Sequence, residues 1–377
     1  MRLALAWRIL THDKGRTALA VAGVFLAILL VFVQLGFFIA VPRGGMLLYD
    51  RTRFDLLVAS TGYEYQVQPG DFPLSLLDKA RTAPDVALAA PLYFGSAKWR
   101  SGEDGKAPDV FVIGLDPQAR VFATEELNRQ LAILDRADTI LVDSTTRAMF
   151  GPLTKGRVVD IDGDKLKIGG DYVLGTGFMG LGVILVSADN FVRLFPYRML
   201  GQVNLGLLRV KPGVAPDHAA AALGELLGGD VRIFTRAELE AHETAYWTTR
   251  TSVGLLFGSG LIVAFVVGVM VVYQILATQV SRQLPQFATL KAVGYADRFL
   301  GGTVTTMALM IVLAGFFPAL VAALGIYAVI RDKTLLPVEM SGTRIAAVFA
   351  ATLAMAAASA LLSMNSLRRA DPADLFG

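Results

Sequence analysis

Thr251–Ser281, TSVGLLFGSGLIVAFVVGVMVVYQILATQVS, contains no charged residue. Spanning a hydrocarbon core of about 30 Å takes about 20 helical residues, so this stretch is long enough to cross a bilayer. Thr17–Pro42, Phe299–Ile330 and Ile345–Leu367 share its character and also lack Asp, Glu, Lys and Arg. Backbone groups in lipid must be satisfied within their own segment, so each block is expected to be a helix. The four blocks account for a mean hydropathy of +0.54 and a charged content of only 18%, against roughly 25% in ordinary globular chains. The sequence therefore predicts an α-helical membrane protein with four transmembrane helices and a large α+β extracytoplasmic domain between helices one and two.

The expected boundaries follow from these blocks. Residues 1–16 form a cytoplasmic amphipathic helix and 17–42 the first span. Residues 43–250 form the α+β domain with a stalk helix, and 251–281 the second span. Residues 282–298 are a cytoplasmic loop, 299–330 the third span and 331–344 a short external loop. Residues 345–367 are the fourth span and 368–377 a cytoplasmic tail. The first block is too long and uncharged for a signal-peptide core, and no clear small-x-small site follows, so it reads as an uncleaved anchor. Arg2, Arg8, Lys14 and Arg16, then Arg282, Lys291 and Arg298, then Arg368 and Arg369 fall on one side of the four-span arrangement. Short basic flanks mark the cytoplasm. Both termini are thus expected inside, in a bacterial inner membrane, with residues 43–250 periplasmic. Arg331, Lys333 and Arg344 oppose this assignment, partly balanced by Asp332 and Glu339.

Other classes are disfavoured. A net charge of +3 is too small to suggest nucleic acid. The absence of cysteine removes disulfides, thiolate metal sites and cysteine nucleophiles. No G-x-x-x-x-G-K-[ST] loop occurs, so a transporter built from this chain takes its ATPase from another. Gly175–Gly180 fits G-x-G-x-x-G, but the strand-like Val183–Val186 follows where a dinucleotide site needs a helix, so a glycine-rich loop is expected. His12, His218 and His242 are dispersed, and His242 with Glu238 reads as a solvated helix face. No catalytic constellation, bound cofactor or metal site is expected. The uncharged spans argue against an ion-coupled carrier, because intramembrane charges mark such pathways.

Between the first two spans, strand-like runs at 54–59, 110–115, 139–142, 158–161, 183–186, 203–210 and 231–234 mix with helical patterns at 71–81, 216–227 and 236–246. Turn signals fall at 102–105, 162–164 and 211–213. No breaker lies between Arg236 and Tyr246-Trp247, so this helix is expected to run unbroken into the second span as a rigid stalk. Tyr246 and Trp247 would then mark the outer interface. Pro318 is expected to kink the third span. On the cytoplasmic side, Pro285 and Gly294 frame a short helix. Leu284, Phe287, Leu290 and Lys291 would share much of one face; such an exposed, partly apolar helix needs either lipid headgroups or a protein groove, the second being a docking element for a motor subunit.

That loop, through Ala288-Thr289-Leu290-Lys291-Ala292-Val293-Gly294-Tyr295, closely resembles the loop after the second span of FtsX/MacB-type permeases, nearest the DevC branch. Tyr246-Trp247 with Ser252–Phe257, and the tail Ser366–Phe376, are similar to the same family. So are Pro91-Leu92-Tyr93, Phe111–Pro117, Ser187–Phe195 and Leu207–Gly213 in the domain. MacB-type proteins fuse an ATPase to their N-terminus, and this chain carries none. The resemblance implies a homodimeric permease with a separate ABC ATPase, to which ATP and Mg bind, a periplasmic membrane-fusion adaptor and, indirectly, a TolC-like outer-membrane channel. It places ATPase coupling on Leu284, Pro285, Phe287, Leu290, Lys291, Gly294 and Tyr295. It implies export of a lipid-like or amphiphilic substrate by mechanical transmission; the alternative is an FtsX-like complex that regulates a cell-wall enzyme without transport.

Overall fold

The computed structural model describes residues 2–100, 107–175, 179–198, 201–283, 286, 289–290, 293–334 and 337–368. It contains two compact units, Met1–Ala40 with Ser252–Gly377, and Val41–Thr251.

The membrane unit holds four helices long and apolar enough to cross a bilayer. They run Lys14–Gly45, Ser252–Arg282, Asp297–Thr334 and Gly342–Arg368, preceded by a helix at Arg2–His12. Asp13 divides the first two helices, its carboxylate accepting the Arg16 amide at 3.3 Å in the manner of an N-terminal cap. The first span outruns its expected end, continuing through Pro42 to Gly45; a proline near a helix end removes one backbone bond without terminating it. The third span likewise runs through Pro318. Val24, Ile28, Phe32, Ala264, Val272, Val304, Ile311, Ala356 and their neighbours form one apolar core, into which Ala6, Ile9 and Leu10 of the N-terminal helix also pack. Small residues let backbones approach closely: a Cβ on Gly268 would meet Met355 Sδ at 2.7 Å, and one on Gly260 would meet Gln34.

Among the described residues, the inter-span domain is built on eleven strands. These are β1 (Leu56–Ser60), β2 (Phe72–Pro73), β3 (Val86–Arg100), β4 (Asp109–Leu115), β5 (Thr139–Asp143), β6 (Val158–Ile161), β7 (Asp164–Tyr172), β8 (Val183–Ser187), β9 (Gln202–Val203), β10 (Leu205–Val210) and β11 (Val231–Thr235). Nine of them form one mixed sheet in the order β11-β1-β10-β3-β4-β8-β5-β7-β6. The long β3 organises it. Its first half pairs with β10, its second half with β4, and its last residues Trp99 and Arg100 with Ile161 and Asp160 of β6. The strands β3-β4-β8-β5-β7-β6 therefore close on themselves.

Both faces of the sheet are buried, which explains why its strands read as apolar runs instead of clean alternations. Leu56, Val58, Val112, Ile184 and Val186 point to one core. Leu57, Ala59, Ile113, Leu185 and Leu207 point to the other. Helices Leu74–Arg81, Ala188–Leu194 and Pro216–Leu227 cover the first face through Leu77, Phe191 and Leu223. The segment Ala119–Leu134 and the start of the stalk cover the second through Phe122, Leu131 and Leu239.

Two expected elements differ in detail. The 203–210 run divides at Asn204, whose Oδ1 accepts the Phe94 amide at 2.7 Å and whose amide donates to the Gly70 carbonyl at 2.7 Å. The 71–81 helix begins only at Leu74, because Phe72–Pro73 pairs with β9. The turn at Asp162-Gly163 is as expected, both residues with positive φ, and the turn signal at 102–105 lies outside the described residues.

Candidate functional site

The stalk helix Arg236–Ala245 begins with a capping box: Thr235 Oγ1 accepts the Glu238 amide, and the Glu238 carboxylate accepts the Thr235 amide at 2.9 Å. This engages Glu238 locally, while His242 Nε2 lies 3.0 Å from the Glu64 carbonyl. The pair that sequence spacing set on one face is thus committed to different partners.

The helix does not continue unbroken. Tyr246–Arg250 form a π-helical turn, and Thr251 is extended at φ −107° and ψ 153° before the second span begins at Ser252. The expectation of a continuous stalk is corrected here. The cause is local: Thr248, Thr249 and Thr251 turn their hydroxyls back onto the Thr244, Ala245 and Trp247 carbonyls at 2.6–2.8 Å. Such back-bonding competes with the helical ladder, and β-branched side chains crowd the preceding turn. π-turns inside helices occur frequently at functional sites.

Above this turn the domain's first and last segments are fastened together. The Arg236 guanidinium donates to the Tyr49 carbonyl at 3.0 Å and to Asp50 at 2.6 Å. About two helical turns further on, Glu243 is fully buried. Tyr63 donates its hydroxyl hydrogen to Glu243. Tyr49 and Tyr63 hydroxyl oxygens are 2.7 Å apart; because Tyr63 has spent its one proton on the carboxylate, Tyr49 is the donor in that pair. Desolvation pushes the Glu243 carboxyl up to about 7, opposed by hydrogen bonds from Tyr63, the Gln66 backbone and Trp247. Burial first, then the neighbouring Glu243 charge, raises the Tyr49 phenol well above its usual range; burial likewise dominates at Tyr63.

Tyr246 and Trp247, selected from sequence as interface aromatics, meet at Tyr65. Tyr246 stacks on Tyr65 with centroids 4.5 Å apart, and Trp247 meets the same ring edge-on at 5.5 Å. Gly45 seats against the far side of Trp247: a Cβ there would lie 2.7 Å from the indole Nε1 and 3.1 Å from Glu243 Oε2. The result is a clasp, in which Gly45 and Tyr49, Tyr63 and Tyr65, and Glu243 and Trp247 come from three separate stretches of chain. Tyr49, Tyr63 and Glu243 were not selected from sequence. A lone carboxylate between polar helix neighbours gives no sign of burial, and its tyrosine partners are distant in the chain.

Of the residues picked out between the second and third spans, Leu284, Pro285, Phe287 and Lys291 lie outside the described residues. Gln286, Thr289 and Leu290 are helical. Gly294 ends that helix at φ 102°, with the Tyr295 amide bonded to the Leu290 carbonyl at 3.0 Å; this is a Schellman stop, and the left-handed position suits glycine. Tyr295 packs on Phe299, centroids 4.8 Å apart. Leu290 packs against the core of the membrane unit. Val293 instead is 73% exposed. The glycine-rich stretch lies between β7 and β8, where its described members Gly175 and Gly180 have positive φ and Asp143 accepts the Gly175 amide at 2.9 Å.

Two family models match the chain. The FtsX-like permease C-terminal model matches residues 258–372, and the MacB-like periplasmic core domain model matches residues 17–226. The periplasmic region of MacB from Actinobacillus actinomycetemcomitans is 12% identical, with a TM-score of 0.38 over 53% of this chain and 94% of that one. The extracellular domain of the noncanonic ABC-type transporter YknZ from Gram-positive bacteria is 12% identical, with a TM-score of 0.34 over 48% and 99%. A domain of a putative permease protein from Porphyromonas gingivalis is 15% identical, with a TM-score of 0.30 over 49% and 87%. No curated protein sequence matches the chain. One family model spans more than half of the sequence and the other most of the membrane helices beyond it, so the chain belongs to the FtsX/MacB-like family of ABC permeases.

Proposed function

We propose that this permease transmits movement between a separate cytoplasmic ATPase and its inter-span domain, driving export of an amphiphilic substrate with an adaptor and an outer-membrane channel. The observation that carries this reading is the apolar interior of the membrane unit. Its described buried polar side chains are few. Thr303, Thr352 and Ser363 bond carbonyls of their own helices, Ser359 bonds the Val269 carbonyl, the Tyr327 hydroxyl donates to the Phe32 carbonyl, and Arg344, in the first turn of the fourth helix, is tied to the Glu339 carbonyl. A polar cargo has no lined path through such a core, since each desolvated polar group would go unpaired. Movement is left as the unit's output. In the inter-span domain, the clasp fastens the segment following the first span to the stalk preceding the second, which suits it to receive displacement from either.

In this reading both termini are cytoplasmic, the inter-span domain is periplasmic and the permease works as a homodimer. ATP and Mg belong to the ATPase, and the segment around Val293 offers it a contact. The test is reconstitution of the permease with a separate ABC ATPase and a membrane-fusion adaptor from the same cell. Stimulation of ATP hydrolysis by the adaptor and release of an amphiphile support export. Capture and activation of a cell-wall hydrolase instead of an adaptor would replace export by the regulatory alternative. A phosphatase fusion at the Asp162-Gly163 turn should be active and one at Gly294 inactive.

A further inference from the structure

On one side of the first span, Lys14, Ala18 and Ala22 recur at helical spacing and so stack in one row along the helix. The two alanines are short, exposed and bordered by the taller Phe25, so the row is a trough. The N-terminal helix forms one bank and Pro318 of the third span lies at its inner reach; the groove holds about 620 Å³. Its deep end is closed where the spans touch. A Cβ on Gly315 would meet Val24 at 3.0 Å and the Phe25 amide at 3.1 Å.

Depth and charge say what fills it. From Lys14 to Phe25 the helix rises about 16 Å at 1.5 Å per residue, about half of a 30 Å hydrocarbon core. Pro318 sits near the middle of its own span. The trough thus runs from the membrane surface to the midplane, the depth of one leaflet. Its mouth is basic: Lys14 lines it and has no ion-pair partner among the described residues, while the nearby Asp13 is taken by Arg16 at 3.2 Å. A second copy of the chain fits poorly. A helix would need a groove crossing both leaflets, and a two-fold contact here would set the Lys14 charges of the two copies against each other.

We propose that the groove binds one acyl chain of an anionic phospholipid, with Lys14 holding the headgroup. The site is independent of what the permease exports. The full chain, purified in detergent, is titrated with dioleoylphosphatidylglycerol or dioleoylphosphatidylcholine and followed by native mass spectrometry and thermal unfolding. One phosphatidylglycerol per chain is expected, bound more tightly than phosphatidylcholine and raising Tm. K14Q should lower phosphatidylglycerol affinity about 5-fold, the worth of one basic residue at an anionic surface, leaving phosphatidylcholine unchanged. A22W, which fills the trough from an exposed position, should abolish retention of both lipids without lowering the lipid-free Tm. Equal affinity for the two lipids, or insensitivity to K14Q, would overturn the proposal whether or not A22W folds. So would undiminished lipid retention in folded A22W, or A22W converting a dimer to monomers with lipid unchanged, which would assign the groove to a second copy.

Discussion

Tyr63 donates its hydroxyl to the buried carboxylate of Glu243, a residue 180 positions away in sequence. The bond joins the segment after β1 to the end of the stalk helix, and Tyr49 completes it from a third stretch of chain. Burial away from solvent favours the neutral form of this carboxyl more than the donors around it favour the charged one, so the clasp carries a pH dependence.

The sign follows from the raised carboxyl. Glu243 titrates at about 7 in the folded chain, against 4.5 for an exposed carboxyl. Between those values the folded state holds a proton that the unfolded state has released, so stability is greatest below about pH 4.5 on this account and falls as pH rises through about 7. The shift corresponds to roughly 3 kcal/mol when complete. E243Q, which still accepts the Tyr63 hydrogen, should flatten the thermal-unfolding profile over this window and raise Tm at pH 8. The emission of Trp247 should titrate near pH 7 in the parent and lose that step in E243Q.

Gly45 tests the clasp by shape alone. A methyl group there collides with the Trp247 indole at 2.7 Å, and both residues are set in ordered helical segments. G45A should cost about 1–3 kcal/mol, as overpacking does. It should also uncouple ATP hydrolysis from adaptor binding in the reconstituted complex. A variant that unfolds earlier yet couples normally would separate the clasp from transmission.

Gly114 on β4 is covered by the Phe191 side chain, which an added Cβ would meet at 2.7 Å. G114A should destabilise the chain by about 1–3 kcal/mol. Truncation to F191A leaves a cavity of its own, but the double variant should be more stable than the sum of the single losses predicts, because residues in contact do not add. Thermal unfolding of the four chains gives the coupling directly.

Leu290 and Val293 divide the loop between the second and third spans into two roles. Leu290 packs on the membrane core, whereas Val293 is 73% exposed. V293E should weaken co-purification of the ATPase while leaving Tm unchanged. L290E should lower Tm before any effect on binding is read, since it places a charge against apolar neighbours. Unaltered ATPase recovery with V293E would remove this contact.

The sequence by itself determined what depends on local composition. Four uncharged blocks specify four helices, because lipid demands internal hydrogen bonding. Gly294 specifies a helix stop through its positive φ, and Pro216–Leu227 appears with the bounds its pattern implied. The family, too, was legible, because the motifs at Phe111–Pro117 and Ser187–Phe195 are short and contiguous. The long β3 was missed where Pro91 and Gly95 interrupt its pattern; Pro91 is tolerated opposite Gly206, and Gly95 makes room for Phe195. The stalk break before Thr251 has a local cause in its run of threonines, but only the tertiary structure decided that Leu290 faces inward and that Gly45, Tyr49, Tyr63 and Glu243 form one site. Each of these depends on which distant side chain removes water from a polar group or occupies the space beside a glycine, and neither quantity is a property of neighbours in the chain.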